Sequence, residues 1–262
     1  MAIDLDGTLL QSDKRIGQRT IDAVSAVLAR GIHVVLATAR PPRGVRPFYE
    51  LLGLQGLQVN YNGALIHHMR QEQHVYHMPL DVTLARDLIV LARQIDPGVV
   101  VNIEILDRWY TDRVDDTLHI ETSRMFDPDG MGPILDWLDR PVTKIMFLAH
   151  EPKLAGVQEA ITQQFSGQVA LAISDSHVIQ VVHPSVNKGL AVKSVATGYG
   201  IATDRVMAIG DAPNDVEMIR WAGLGVAVKN GWPEARQAAD VVVASNDDQG
   251  VADALWRYIL DR

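Results

Sequence analysis

The sequence predicts an α/β protein: a doubly wound parallel-sheet core interrupted by an inserted α+β domain. Three observations carry that expectation. Up to about residue 79, short β-branched runs alternate with segments of helical periodicity, the order that builds a parallel sheet. Between about residues 80 and 183 the alternation gives way to neighbouring strand signals around two helices, an α+β pattern. From about residue 184 the first rhythm resumes. The core is therefore expected in two pieces, 1–79 and 184–262, as a Rossmann-like unit, with 80–183 forming a separate cap domain.

The elements follow in order. The chain opens on MAI, a short apolar strand directly ahead of Asp4 and Asp6. IGQRTIDAVSAVLARG repeats apolar residues at helical spacing and ends on Gly31, a suitable stop. IHVVLAT is too short for a helix and apolar on both faces, as a covered parallel strand must be. PPRGVRPFYELLGLQG begins with prolines, which suit a first helical turn, and QVNYNGALIHH reads as a strand running into an Asn-Gly turn. In the inserted stretch LDVTLARDLIVLARQID and PKLAGVQEAITQQF read as helices. VVVNIEIL, RWYTDR, PVTKIMFLAH and QVALAISDSHVIQVVH supply strands, and FDPDGMGP a loop. SVNKGLAVKSVATGYG and DVEMIRWAG then return to helix, with VMAIGD, GVAV and DVVVAS as short strands.

Composition narrows the function classes. Of 262 residues 47% are hydrophobic and 21% charged, with a net charge of −8, the balance of a soluble globular protein. Excess acid weighs against a nucleic-acid surface, which needs clustered Lys and Arg. The chain has no cysteine, which excludes disulfides, zinc–thiolate sites and thiol catalysis. No basic-then-apolar leader and no window near ~20 apolar residues is present. A cytoplasmic protein with no nucleic-acid or membrane partner is expected; oligomeric state is not legible.

In open α/β sheets, ligands bind beyond the carboxyl ends of the strands. Polar residues just after strand signals are Asp4 and Asp6, Thr38, Lys188 in SVNKG, and Asp211 with Asp215 in MAIGDAPNDVEM. Any one of these alone is more often a turn former or helix cap. Together they offer carboxylates, an ammonium and a hydroxyl that could converge on one crevice. Clustered carboxylates demand a cation, and an all-oxygen set favours a hard ion such as Mg²⁺, which prefers phosphate as its partner. Lys188 and backbone N–H groups could hold the remaining phosphate oxygens. A carboxylate against phosphorus can act as nucleophile, and a second acid two residues on can protonate the leaving oxygen and then activate water. Gly7 permits the sharp turn that must deliver Asp6.

DLDGT, ATAR, NKG and GDAPND, in this order, resemble the four motifs of the haloacid dehalogenase-like phosphohydrolases. RPPRGVRPFYELLGL and VNYNGALI are similar to the Cof-like branch, whose large α/β cap lies between the second and third motifs. The similarity spans nearly the whole chain. It implies Asp4 as nucleophile and metal ligand, and Asp6 as general acid/base with its backbone carbonyl on the metal. It also implies Asp211 completing the Mg²⁺ shell and Asp215 supporting it through water or a hydrogen bond. Thr38 and Lys188 would bind phosphate, and Asn214 would bind phosphate or orient Lys188. The cap would exclude water and select the leaving group. The expected activity is hydrolysis of a small phosphorylated metabolite, a sugar phosphate foremost, through an aspartyl phosphate. A hexose-phosphate mutase and a catalytically idle sugar-phosphate-binding module are the rival readings.

Two departures stand out. The second motif usually reads Thr-Gly-Arg and here reads Thr38-Ala39-Arg40; Thr38 is expected to keep its role, since alanine is costly only at positive φ. Family members usually have several more residues before the nucleophile, so native residues are expected ahead of Met1. Weaker signals are Arg40, Arg43 and Arg46, which could line the crevice mouth and meet an anionic substrate, the latter two read rather as solvated helix charges, and Asn62 with Gly63, a turn that by resemblance borders the site; Arg40 and Asn62 are thus candidate substrate contacts. Arg108, Trp109 and Tyr110 could touch a leaving group, but strand aromatics are more often core. His177 and His183 read as structural.

Overall fold

In the computed structural model, residues 1–115, 117, 118, 123, 125–175 and 177–261 are described. They form two compact units, Met1–Tyr76 with Asn187–Arg262, and His77–Val186.

The first unit begins with β1 (Ala2–Ile3), α1 (Gln18–Ala29), β2 (Val35–Leu36) and α2 (Pro42–Leu51). α1 buries Ala23, Val24 and Val27, the stripe set by its helical spacing. Gly31 follows at φ +74°, a left-handed residue just past the helix end. β2 is shorter than IHVVLAT suggests because its partner is short: only Ala2↔Val35 and Ile3↔Leu36 pair.

Next come β3 (Leu57–Asn60), β4 (Leu65–His68) and β5 (Gln73–His77), and here the expectation of one parallel sheet needs correction. β3 meets the parallel strands through a single bridge, Ala37↔Val59, and then doubles back on β4 in antiparallel register from Leu57↔His68 to Asn60↔Leu65. The reversal lies in the turn after β3, where Tyr61 and Asn62 both take left-handed backbone, at φ 51° and 56°. β5 completes this separate three-stranded sheet. Its residues 73–76 are exposed, so it lacks the alternation that would reveal it in sequence.

The second unit holds α3 (Val82–Ile95), β6 (Val100–Ile105), β7 (Arg108–Thr111), β8 (Gly130–Met131), β9 (Lys144–Leu148), α4 (Lys153–Gln164), β10 (Ala170–Asp175) and β11 (Val178–Val182). Its six-stranded sheet runs β10-β11-β9-β6-β7-β8, antiparallel except between β7 and β8. Val101, Ile103 and Ile105 of β6 pack in one cluster with Leu88 and Ile89 of α3 and Val157 and Ile161 of α4, the period-2 face of a strand meeting the stripes of two helices. FDPDGMGP, expected as a loop, contributes the short β8, and Ser176, between the last two strands, lies outside the described residues.

The chain then returns to the first unit with α5 (Lys188–Gly198), β12 (Met207–Gly210), α6 (Val216–Trp221), β13 (Leu224–Val228), α7 (Pro233–Ala238), β14 (Val241–Val243) and α8 (Gly250–Leu255). β14-β13-β12-β1-β2 form one parallel sheet. One core cluster contains Ile3, Leu36, Ile209 and Val226 with Val24 and Val27 of α1, and another packs Ala2, Val35 and Ala208 against Val192 and Val195 of α5. The sheet is thus covered on both faces, as a parallel sheet requires. Among the described residues no helix is long and apolar enough to cross a membrane.

Ile209 is fully buried at the centre of this sheet. Ile209→Ala should cost about 2–5 kcal/mol and Ile209→Val about 1 kcal/mol, read as shifts in urea midpoint by circular dichroism.

Candidate active site

The carboxyl ends of β1 and β12 lie side by side, and both continue into acids. The Asp4 N–H donates to the Ile209 carbonyl at 2.9 Å, carrying the β1–β12 ladder one residue beyond β1. The chain then folds back on itself: Leu9 and Leu10 N–H groups donate to the Asp4 and Leu5 carbonyls at 3.3 and 2.8 Å. Gly7 makes the turn at φ +81°, and a Cβ there would stand 2.6 Å from Asp211 Oδ2. Backbone conformation and space therefore both demand glycine.

Asp211 follows β12, and its Oδ1 accepts from the Thr8 hydroxyl at 2.9 Å. Asp215 ends the turn Pro213–Asp215, and its Oδ2 accepts from the Asp211 and Ala212 N–H groups at 2.9 and 3.0 Å. Its Oδ1 accepts from Lys188 Nζ at 2.5 Å, and the same ammonium donates to Asp4 Oδ1 at 2.8 Å. Lys188 opens α5, where Asn187 caps the helix by accepting from Leu190 N–H at 3.0 Å. The Lys188 side chain is 0% exposed.

Charge balance in this cluster is lopsided. Burial pushes the Asp4 carboxyl well above the usual carboxylate range; Asp215 and Asp211 raise it further, against the opposing pull of Lys188. Burial and Asp215 likewise raise Asp211. Burial alone would lower Lys188, but Asp215 and Asp4 outweigh it and hold the ammonium charged. One cation among three acids leaves negative charge uncompensated. Asp4, Asp211 and Asp215 each offer an oxygen within 4.8 Å of the others', so the donor set suits a hard divalent cation. Asp215 already accepts three hydrogen bonds, which leaves Asp4 and Asp211 as the better ligands and makes Asp215 a support.

The Asp6 side chain is turned to other partners. Its oxygens accept from Arg40 Nε and Nη2 at 2.6 Å each, and Oδ1 also accepts from Lys14 Nζ at 2.7 Å. Burial would raise its pKa, but the hydrogen bonds and charge of Arg40, then Lys14, bring it below the usual value.

Thr38 is buried after β2, and its hydroxyl accepts from the Arg40 N–H at 3.1 Å. The left-handed turn after β3 clamps this loop: Asn62 N–H donates to the Thr38 carbonyl at 2.9 Å, and Tyr61 N–H to the Arg40 carbonyl at 3.2 Å. The Asn62 side chain accepts from Asn214 Nδ2 at 2.9 Å. The nine candidate site residues Asp4, Asp6, Thr38, Arg40, Asn62, Lys188, Asp211, Asn214 and Asp215 thus fall on strand ends, turns or a helix start of the first unit. Asp4, Lys188, Asp211 and Asp215 converge in one network; Asp6 with Arg40, and Asn62 with Asn214, form pairs.

Sequence reasoning gave no role to Thr8, Lys14, Asn60 or Asn230. Asn60 Nδ2 donates to the Arg40 carbonyl at 3.2 Å, and Asn230 Nδ2 to the Gly7 carbonyl at 2.8 Å. Thr8 and Lys14 lie close to DxD and could have been flagged by proximity; the two asparagines carry no local signal. Arg46 pairs with Glu72 at 2.8 Å, as a surface helix charge does. Trp109 is buried, with Nε1 donating to Asn102 at 2.7 Å, a core aromatic. His183 Nδ1 accepts from Ser185 N–H at 3.1 Å, a structural role.

Comparison with known proteins agrees with this architecture. The family model of haloacid dehalogenase-like hydrolases matches residues 1–255. A 5-amino-6-(5-phospho-D-ribitylamino)uracil phosphatase of Bacillus subtilis is 28% identical over 265 residues, covering 98% of this chain and 96% of its own. An HMP-PP phosphatase of Yersinia pseudotuberculosis is 28% identical over 264 residues, covering 98% and 94%. The crystal structure of a haloacid dehalogenase-like hydrolase from Bacteroides thetaiotaomicron superposes with a TM-score of 0.89 at 26% identity, covering 98% of this chain and 97% of that one.

The crowded acids predict a pH-dependent stability. A carboxyl whose folded-state pKa is raised stabilises the fold below its unfolded pKa and loses that contribution as pH rises through the folded value. In chelator, Asp211→Asn should therefore melt above the wild type near neutral pH, with the gain fading as pH falls to about 4. Adding Mg²⁺ should raise the wild-type melting temperature and leave the variant's nearly unchanged. Thermal scans across pH, with and without the ion, check both.

Proposed function

Because the chain belongs to the haloacid dehalogenase-like hydrolases and is a phosphatase of that family, we propose that it hydrolyses a small phosphomonoester, a sugar or polyol phosphate, through an aspartyl phosphate on Asp4. The observation that carries this reading is the buried Lys188 bridging Asp4 and Asp215 beside Asp211, with Asp6 two residues from Asp4.

Lys188 engages Asp4 Oδ1 and leaves the other oxygen to attack phosphorus. As the Asp4 O–P bond forms, the bond to the leaving oxygen breaks, and Asp6 hands that oxygen its proton. Water then attacks phosphorus while Asp6 takes up its proton; the O–P bond breaks, releasing inorganic phosphate and restoring the Asp4 carboxylate. Asp6 rests as an anion between Arg40 and Lys14, the form needed for the second step. The incoming phosphate dianion adds negative charge nearby and raises the proton affinity of Asp6 for the first. Thr38, whose hydroxyl oxygen already accepts from the Arg40 N–H, keeps its proton to donate to a phosphate oxygen, and Asn214 stands at the Asn62 turn for the same task. Asp4, Asp211 and the Asp6 carbonyl, with Asp215 behind them, would hold Mg²⁺, which would supply charge neutralisation for the transferring phosphoryl group.

The relatives' names concern a 5-phospho-D-ribitylamino compound and HMP-PP, so family membership alone does not select among small phosphates.

Asp4→Asn should abolish phosphate release from an aryl phosphate in Mg²⁺, and EDTA should silence the wild type. Full activity in either would sink the assignment. A phosphate-release screen over sugar phosphates, polyol phosphates and nucleotides should give its highest kcat/KM among the first two. Appearance of an isomeric sugar phosphate instead of free phosphate would mark a mutase.

A further inference from the structure

We propose that Arg40 is the positioning residue of the leaving-group acid: its guanidinium fork sets where the Asp6 carboxylate stands, and Asp6 alone meets the substrate. The inference rests on the phosphatase reading above. Two parallel N–H···O bonds of 2.6 Å join Nε to Oδ2 and Nη2 to Oδ1, an arrangement that fixes the plane of a carboxylate as well as its place.

The fork comes from well-anchored backbone. The Arg40 N–H is tied to Thr38 Oγ1 at 3.1 Å, and its carbonyl accepts from Tyr61 N–H and Asn60 Nδ2, both at 3.2 Å. Its side chain is 7% exposed, and Cζ lies 5.6 Å from the centre of the Phe48 ring, a cation–π distance. Asp6 has no such footing. It precedes the Gly7 turn, its side chain is 31% exposed, and its other partner is the exposed Lys14 amine. A lysine is a point charge on a flexible stem and fixes no plane. The two oxygens also differ: among the described residues Oδ1 accepts from Arg40 and Lys14, whereas Oδ2 accepts from Arg40 alone. Oδ2 thus keeps an acceptor position and is the oxygen that exchanges a proton with the leaving group. With Nε and Nη2 both committed to Asp6, Arg40 acts through the acid rather than by grasping phosphate.

The test exploits leaving-group chemistry. Glucose 6-phosphate releases an alkoxide that needs a proton, while p-nitrophenyl phosphate releases a stable phenolate that does not. In Arg40→Lys and Arg40→Gln, kcat for glucose 6-phosphate, or for the best alkyl phosphate of the screen, should fall about 100-fold with little change in KM. The single-turnover burst of p-nitrophenolate, which reports the first step alone, should slow by no more than about 5-fold, since acid catalysis contributes little there. Steady-state turnover of the aryl phosphate falls further at unchanged KM, because Asp6 also activates the water of the second step. Asp6→Asn and the double variant Asp6→Asn/Arg40→Gln should be equally slow on the alkyl phosphate, because the residues act as one unit. Equal losses on both substrates with a raised KM would assign Arg40 to the phosphate and overturn the inference; additive losses would overturn it too. If Arg40→Gln fails to fold by circular dichroism, Arg40→Lys, which keeps the charge but not the fork, gives the same discrimination. A wild type that turns over neither substrate overturns the phosphatase reading itself and this inference with it, an outcome distinct from the others.

Discussion

One buried ammonium organises the candidate site. Lys188 donates to Asp4 at the end of β1 and to Asp215 in the turn after β12, so a side chain from the start of α5 ties two strand ends together. A lysine with no exposure is tolerated only with partners, because burying an unpaired charge costs several kcal/mol. The partners in turn lose their compensation without it. The two pieces of chain that form the first unit, residues 1–76 and 187–262, are joined at this contact across 184 positions of sequence.

The rest of the site shows how much structure is committed to holding acids close together. Asp4 and Asp211 are both pushed toward the protonated form by burial and by Asp215, a state that favours a cation or a loss of proton affinity through ligand binding. Backbone strain adds to this cost. Tyr61 and Asn62 adopt left-handed backbone in succession, at about 1–3 kcal/mol each for non-glycine residues, and in exchange the turn hydrogen-bonds the loop bearing Thr38 and Arg40. Gly7 meets the same need without strain, since it alone tolerates both the φ of +81° and the approach of Asp211. Charge crowding and strained turns gather at the candidate site, as they do at functional sites generally.

Much of this was legible because the responsible signals are local. The helical stripe of α1, the apolar run of β12 and the acid that follows it are each contained in a few consecutive residues. The ordered set DLDGT, ATAR, NKG and GDAPND likewise specifies strand ends without reference to the remainder of the chain. Departures arose where pairing depended on partners distant in sequence. β2 was shortened by β1, β3 was diverted into a second sheet by its own turn, and the exposed β5 exists through backbone pairing that leaves no side-chain pattern. Helices α7 and α8 went unread: each spans only six residues, less than two turns of periodicity, and unlike α6, of equal length, neither adjoins one of the four motifs.

By itself the sequence determined the α/β class and the family and named the candidate site residues, since these follow from residue type and from spacings within single segments. Only the tertiary structure decided how those side chains are paired. It gave Lys188 to Asp4 and Asp215, Thr8 to Asp211, Asn214 to Asn62, and the Arg40 fork to Asp6. The physical reason is directional: a hydrogen bond or ion pair forms over about 3 Å in a fixed orientation, and that proximity is set by sheet register and turn conformation rather than by distance along the chain.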